Sequence, residues 1–163
     1  MKKIRISVLI TTFNSQLYIE ETVKSILLQN YKNFEVIIID NNSVDETVNL
    51  IKNFKDTRIK IKILDKNYGQ TFALNYGLKF CKGDYIARID SDDLAMPDRL
   101  LKQINLMEKE NIDLLSTQVH YINSKSKIIG KSNFFKPNKS NFYLLLLSNP
   151  IAHPSIMIKK KII

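Results

Sequence analysis

Short apolar runs rich in β-branched residues alternate with helical patterns over the first 113 residues. The run Phe34–Asp40 reads Phe-Glu-Val-Ile-Ile-Ile-Asp, nearly continuous apolar sequence that ends on a carboxylate. This pattern is typical of a strand buried on both faces of a parallel sheet. Similar runs cover residues 4–11 and 85–90, whereas residues 59–64 alternate Ile and Lys, which suits a strand nearer the sheet edge. The alternation predicts an α/β layered fold with a mainly parallel central sheet.

Helical spacing of apolar residues separates these strands and predicts helices over residues 17–29, 43–55, 70–81 and 97–109. Ser43, followed by Glu46 three residues later, predicts a capping box at the start of the second helix. In the third helix, Phe72 is expected on the inner face, and Gly83 is expected to end the helix.

The pattern changes after residue 111. Two strands are predicted over 114–121 and 127–130, then a short helix over 140–147 and a strand over 151–158. We therefore divide one continuous domain into two parts, residues 1–113 and 114–163.

The positive charge of the chain is concentrated in its second part. The 163 residues carry a net charge of +9, yet residues 1–113 hold 17 Lys and Arg against 16 Asp and Glu, whereas residues 114–163 hold 8 Lys and no acid. This asymmetry indicates a basic face for an anionic partner, or a chain lacking an acidic remainder. The single cysteine, Cys81, excludes a disulfide framework and suits a reducing cytosol. We expect a cytoplasmic location, with peripheral contact at the inner face of the plasma membrane.

Polar side chains follow all four predicted strands of the first part. Because ligands bind where parallel strands end, these groups are expected to share one edge of the sheet. The last end, residues 90–93, carries three carboxylates, whose mutual repulsion a hard cation such as Mg²⁺ or Mn²⁺ would relieve. Glycine stands only at positions 69, 77, 83 and 130, so neither a dinucleotide-binding fingerprint nor a P-loop can be written. A metal would therefore have to hold any bound phosphates.

The order of these motifs resembles that of the family 2 glycosyltransferases, which have the GT-A fold. The resemblance rests on five segments, namely residues 7–14, 36–47, 67–77, 83–100 and 149–155. It implies a GT-A-type, Rossmann-like layered fold in which residues 1–113 bind a nucleotide-sugar donor and residues 114–163 begin the acceptor-binding part. The implied activity is metal-dependent transfer of a sugar, most often from a UDP-sugar, to a glycan or lipid-linked acceptor in bacterial surface polysaccharide synthesis.

The resemblance also assigns roles to individual residues. Thr11 and Phe13 would flank the base and ribose, although the family usually has proline and tyrosine there, and Asp40 would hydrogen-bond the base. Asp92 would bind Mn²⁺ or Mg²⁺ directly, with Asp90 near the ribose or a metal-bound water and Ser91 between them. The remaining nucleotide-sugar contacts and the acceptor-side candidate would be Asn14, Asn67, Gly69 and His153.

The chain departs from the family in its second part. Inverting members use an acidic general base to deprotonate the acceptor hydroxyl. Because residues 114–163 contain no Asp or Glu, we expect that base beyond Ile163 and expect the fold to be truncated in its acceptor half, with the chain itself inactive.

Three other functional classes were weighed against this one. A noncatalytic nucleotide- and metal-binding module with a basic tail for anionic lipid or nucleic acid stays open, but the tail lysines lack the interleaved aromatics of a nucleic-acid platform, so no specific nucleic acid is expected. A phosphoacceptor receiver domain needs an acidic pair after its first strand, where this chain has Thr11 to Asn14. A sugar nucleotidyltransferase needs a glycine-rich loop there, which is absent.

Overall fold

The computed structural model describes residues 5–132 and 151–163. Its eight strands are β1 Ile6–Thr12, β2 Phe34–Asp40, β3 Ile59–Ile63, β4 Tyr85–Asp90, β5 Leu114–Leu115, β6 His120–Ile122, β7 Ile128–Lys131 and β8 Met157–Lys159. Its four α-helices are α1 Ile19–Leu27, α2 Thr47–Lys52, α3 Gln70–Leu78 and α4 Arg99–Lys109. Within these described ranges, no helix is long and apolar enough to cross a bilayer. The helix predicted over 140–147 lies outside them.

Four parallel strands form the centre of the main sheet, which has the order β3-β2-β1-β4-β8-β5. β1 lies between β2 and β4, and its end pairs Thr12 with Asp40 on one side and Thr11 with Asp90 on the other. The antiparallel strands β8 and β5 extend the sheet beyond β4. The prediction of an α/β fold with a mainly parallel sheet is confirmed, and the alternating Ile and Lys strand does lie at the edge.

The helices cover the two faces of this sheet unequally. On one face α1, α2 and α4 bury apolar residues such as Ile26, Ile51 and Ile104 against β1 and β2. On the other face, α3 packs Ala73 against Leu9 and the neighbouring isoleucines of β2. Each fully buried isoleucine contributes about 1.5–3 kcal/mol through removal of apolar surface from water.

Small residues on α3 allow it to lie close to the sheet. A Cβ added at Gly77 would fall 2.5 Å from the Leu9 Cδ1 atom and 2.9 Å from the Ile39 Cγ1 atom. Ala73 and Gly77 are the buried residues of this helix, whereas Phe72 is 44% exposed. The prediction that Phe72 points inward was wrong, because a close helix-to-sheet contact admits only the small side chains.

Two predicted helix boundaries were also wrong. Ser43 does not cap α2, which begins at Thr47. The Ser43 hydroxyl donates to Asp40 Oδ1 at 2.6 Å and accepts the Asn14 N–H at 2.9 Å, and the Thr47 N–H is accepted by Asp45 Oδ1 at 3.0 Å. Gly83 does not end α3, which stops at Leu78. Gly83 instead lies against the backbone of β1.

The second part of the chain differs most from its prediction. The strand predicted over 114–121 is two strands, since β5 joins the main sheet and β6 forms a separate hairpin with β7. The strand predicted over 151–158 becomes a 3₁₀ turn, His153–Ser155, followed by β8. Pro154 lies within that turn, where it lacks the N–H that a strand would use. The division of the domain after residue 113 stays a prediction.

A buried carboxylate ties three strands together at the end of the sheet opposite the predicted ligand edge. Glu35 on β2 accepts hydrogen bonds from the Ser7 hydroxyl at 2.7 Å, the Lys82 N–H at 2.6 Å and Lys60 Nζ at 2.5 Å. Burial by itself would raise the pKa of Glu35, but the bonds from Lys60, Lys82 and Ser7 outweigh it and lower the pKa below 4.5. The carboxylate is thus stabilised as an anion in the folded state.

Replacing Glu35 with glutamine is expected to lower the free energy of unfolding at pH 7 by about 2 kcal/mol, because a buried charge-assisted network loses its anion. A carboxyl group whose pKa is lower in the folded than in the unfolded protein stabilises the folded state at pH values above its unfolded pKa. This stabilisation is lost as the pH falls through the folded-state pKa. Urea unfolding should therefore show the two proteins converging below pH 4.5. As a control, Glu20→Gln removes an exposed partner of Lys24 and should change stability by less than about 0.5 kcal/mol. A constant gap at all pH values would contradict the assignment.

Candidate functional site

The four parallel strands end at one edge of the sheet, which we call the carboxyl rim. It comprises residues 11–16, 40–45, 65–70 and 90–93. Asn41 joins three of these segments, since its N–H donates to the Thr12 carbonyl at 2.8 Å and its Nδ2 donates to Asn67 Oδ1 at 2.7 Å. Asn67 Oδ1 also accepts the Gly69 N–H at 2.9 Å. The rim is thus cross-linked by side chains from separate loops.

The loop after β1 places one aromatic ring at the rim surface. Thr11 is buried, whereas Phe13 is 46% exposed. Asn14 adopts a left-handed conformation with φ of 48°, and its Oδ1 accepts the Val44 N–H at 3.0 Å. This contact fixes the loop while leaving the Phe13 ring free to stack on a flat ligand.

The Asp40 carboxylate stabilises the loop that follows it. It is fully buried, and its Oδ2 accepts the Ser43 N–H at 2.9 Å while its Oδ1 accepts the Ser43 hydroxyl. The predicted hydrogen bond from Asp40 to a base would have to use the remaining lone pairs of these oxygens. That role stays a prediction.

Asp90 is engaged by two cationic or polar side chains. Arg88, on the same face of β4, forms an ion pair with it, with Nη1 3.0 Å from Oδ2. Gln70 at the start of α3 donates from Nε2 to Asp90 Oδ1 at 3.1 Å. The Arg88 guanidinium compensates much of the Asp90 charge, which leaves Asp90 a weaker cation ligand than an unpaired carboxylate would be.

Residues 91–93, which follow Asp90, differ from one another in burial and in hydrogen bonding. The Ser91 hydroxyl lies 2.8 Å from that of Ser15, which connects β4 to the β1 loop. Asp92 is exposed and takes part in no hydrogen bond or ion pair among the described residues. Burial, followed by the charges of Asp90 and Asp92, raises the pKa of Asp93 to about 6. At neutral pH the loop therefore concentrates negative charge around Asp92.

No group of three or more His, Cys, Asp or Glu side chains within residues 5–132 and 151–163 is arranged to hold a metal. Mg²⁺ bound with substrate phosphates commonly takes only one or two carboxylates, and the phosphates and water complete its shell. An exposed, unpaired Asp92 beside Asp90 fits that second arrangement.

Arg99 brings the His153–Ser155 turn to the rim. Its Nη2 donates to the carbonyls of Arg88 at 2.6 Å and Pro154 at 3.0 Å. Desolvation, followed by the charge of Arg88, lowers the pKa of His153, while Asp90 opposes the shift. His153 therefore lies near enough to Arg88 and Asp90 for both charges to influence its pKa.

A cleft of about 190 Å³ opens beside Asp92. It lies between the start of α1 and the β6–β7 hairpin, whose Ser126 hydroxyl donates to Glu21 Oε2 at 3.0 Å. Its lining includes Tyr18, Glu21, Asp92, Leu94, Ile122 and Asn123. Carboxylates, an amide and an aromatic ring suit a ligand rich in hydroxyl groups.

The predicted site residues therefore all lie on or beside the carboxyl rim. Sequence reasoning missed Asn41, Gln70, Arg88 and Arg99, which hold the rim together. Arg88 had a detectable signal, since it is a charged residue inside a buried strand, two positions before Asp90 and so on the same face. Gln70 had none, because its partner Asp90 lies on another loop. Asn41 belongs to the polar segment after β2 that the sequence placed at the rim, but no role was predicted for it.

Comparison with known proteins decides the family. The family model described as "Glycosyl transferase family 2" matches residues 7–163. This chain belongs to glycosyl transferase family 2. The family 2 chain is 36% identical over 160 residues to the O-antigen biosynthesis glycosyltransferase WbnJ of Escherichia coli, covering 97% of the chain and 63% of WbnJ.

A second family 2 relative from Escherichia coli is WfgD, a UDP-Glc:alpha-D-GlcNAc-diphosphoundecaprenol beta-1,3-glucosyltransferase. It is 31% identical over 158 residues, covering 97% of the chain and 61% of WfgD. The chain thus spans somewhat more than half the length of either relative.

Solved structures confirm the GT-A fold of this family 2 chain. TarS residues 1–349 of S. aureus, solved in complex with UDP-GlcNAc, align with a TM-score of 0.78 at 24% identity, over 96% of the chain and 45% of TarS. The mannosyltransferase PcManGT of Pyrobaculum calidifontis, solved with GDP-Man and Mn²⁺, aligns with a TM-score of 0.69 at 22% identity, over 96% of the chain and 44% of PcManGT.

Proposed function

We propose that the carboxyl rim binds a nucleoside diphosphate-sugar together with a divalent metal, as the donor site of an inverting glycosyltransferase of polysaccharide synthesis. The observation that carries this proposal is the position of Asp92, an exposed and unpaired carboxylate at the rim that also lines the cleft. UDP-GlcNAc and GDP-Man in the two GT-A structures, and UDP-Glc in the name of WfgD, support a donor of this class.

The nucleoside would lie over the first two strand ends. Phe13 offers a stacking surface, and the fixed loops around Asn14 and Asn67 keep that surface in place. Stacking on an aromatic ring tolerates any base, so the choice between uridine and guanosine depends on hydrogen bonds to Asp40 and its neighbours.

Asp92 would hold the metal, and Asp90 would contact either a metal-bound water or the ribose. When bound, Mn²⁺ or Mg²⁺ would supply Lewis-acid stabilisation of the diphosphate leaving group. Arg88 orients Asp90 through their ion pair, while Gln70 fixes the same carboxylate from α3. PcManGT, solved with Mn²⁺, supports a divalent ion.

The cleft beside Asp92 would receive the transferred sugar or the acceptor. WfgD acts on a diphosphoundecaprenol-linked sugar, which supports a glycan or lipid-linked acceptor. His153 lies near Asp90 and would face this side of the site. Residues 114–163 contain no carboxylate, so an acidic base for the acceptor hydroxyl would have to come from elsewhere.

Calorimetric titration with UDP, GDP and CDP, each with and without Mn²⁺, tests the donor site. We expect one diphosphate to bind in the presence of Mn²⁺ and to bind far more weakly without it, because Asp92 would hold the ion and the ion would offset the negative charge of the phosphates. Binding of all three equally, with no effect of Mn²⁺, would contradict a specific donor site. Absence of any diphosphate binding would also contradict the donor site.

A further inference from the structure

Helix α3 and the residues that flank it carry a row of aromatic rings along one side of the helix. Tyr68, Phe72, Tyr76 and Phe80, spaced four residues apart, form what we call the aromatic ladder. The centroids of consecutive rings are 4.5, 6.3 and 5.1 Å apart. Tyr76 and Phe80 are partly buried against the core beneath α3, whereas Tyr68 and Phe72 are exposed, so the sheet leaves the first half of the ladder uncovered.

The outer faces of the other long helices carry charged side chains, although α4 also exposes Leu106. α1 presents Glu20 and Lys24 to solvent, and α4 presents Lys102 and Glu108. On α3 the matching positions expose 44% of Phe72, and Tyr68 just before the helix is 39% exposed. Contiguous exposed apolar groups of this kind mark interaction surfaces.

Three lysines are interleaved with the rings. Lys66 Nζ lies 4.9 Å from the Tyr68 centroid, Lys62 Nζ 5.1 Å from that of Phe80, and Lys79 Nζ 5.7 Å from that of Tyr76. All three lysines are exposed. Asp65, which accepts a long 3.4 Å bond from the Tyr68 hydroxyl, is the acid beside them, so the surface remains positive.

We propose that the aromatic ladder and its three lysines dock on an anionic membrane surface. Aromatic rings with polar edges favour the headgroup level of a bilayer, and lysines beside them attract anionic lipid. Because the ammonium groups lie over the rings, one face offers apolar area and positive charge at the same depth. Charge complementarity therefore selects an anionic lipid surface over an uncharged protein partner.

This surface adjoins the carboxyl rim. The Tyr68 N–H donates to Asn41 Oδ1 at 2.9 Å, and Gln70, one helical turn before Ala73, reaches Asp90. Docking through the ladder would hold the rim beside the lipid surface. The inference does not depend on the donor proposal, because vesicle binding is measured without nucleotide.

Co-sedimentation with phosphatidylcholine vesicles, with and without phosphatidylglycerol, tests the surface across a salt series. We expect binding to the anionic vesicles alone, and at least about tenfold weaker binding for Lys66→Glu/Lys79→Glu, which reverses two charges on the ladder. The matched control is Lys52→Glu/Lys55→Glu, which reverses two exposed charges on the opposite side of the sheet and should change binding less than about threefold.

Phe72→Ser tests the apolar part and should also weaken vesicle binding several-fold, with an unchanged thermal transition as evidence of folding. An equal loss of vesicle binding in the two charge-reversal variants would overturn the proposal, because binding would then depend on the net charge of the protein and not on the ladder. A Phe72→Ser variant that binds vesicles normally but loses self-association in size-exclusion chromatography would overturn it as well, in favour of a second copy of the chain.

Discussion

Replacing Asp92 with asparagine is expected to weaken Mn²⁺-dependent binding of a nucleoside diphosphate at least about a hundredfold, since even outer-shell partners of a metal contribute ten- to a hundredfold. Asparagine keeps the size of the side chain and removes the charge that the ion requires. Asp92 is exposed and makes no hydrogen bond among the described residues, so the thermal unfolding temperature should stay unchanged. Calorimetric titration with and without Mn²⁺ measures the effect.

Asp93→Asn is the matched control for this change, because it removes one negative charge from the same loop. Asp93 is partly buried rather than presented at the surface, and its pKa of about 6 reflects that burial. The control should retain Mn²⁺-dependent binding. If both variants lost it equally, the loop would act through its total charge and Asp92 would not be a ligand.

Replacing Gly83 with alanine is expected to destabilise the protein by about 3 kcal/mol or more, or to prevent folding. A Cβ at this position would lie 2.5 Å from the Ser7 nitrogen and 2.7 Å from the Ile6 carbonyl carbon. These are backbone atoms of the central strand β1, which cannot move without disturbing its pairing with β2 and β4. The same shift would break the 2.8 Å bond from the Gly83 N–H to the Ser7 hydroxyl.

Gly130→Ala provides the comparison for this substitution. There the nearest atom to an added Cβ is Tyr121 Cδ2 at 3.4 Å, an ordinary contact, so stability should change by less than about 0.5 kcal/mol. Urea unfolding followed by circular dichroism compares the two variants. A Gly83→Ala protein as stable as the Gly130→Ala protein would mean that the loop before β4 does not approach β1 this closely.

The strands were predictable where burial on both faces forces one kind of sequence. β2 and β4 have the predicted bounds, because an uninterrupted apolar run ended by a carboxylate is compatible with little else. The second part was harder, since β5 and β8 have only two and three residues and are defined by their antiparallel partners. Strands this short carry too few residues for a periodic pattern.

The residues of the candidate site also fall into those that the sequence could predict and those that it could not. The position of Asp90, Ser91 and Asp92 at the rim could be predicted because they follow a buried strand. The partners that hold them were not found, because Gln70 and Arg99 reach the rim from helices and contact residues 11 to 55 positions away. Ser43 is a case in which the local sequence misleads. Its sequence context favours a helix cap, but in the structure its hydroxyl donates a hydrogen bond to the buried Asp40.

The sequence by itself determined the parallel α/β core and the edge at which its polar residues meet, because hydrophobic burial leaves a periodic record along the chain. Tertiary structure alone decided which face of α3 lies inward and which carboxylate at the rim stays unpaired. The close contact of Gly77 with Leu9 and Ile39 leaves Phe72 on the outer side of the helix. Asp90 pairs with Arg88, whereas Asp92 is an exposed carboxylate without an ion pair among the described residues. Both depend on distances between segments, which side-chain order along the chain does not encode.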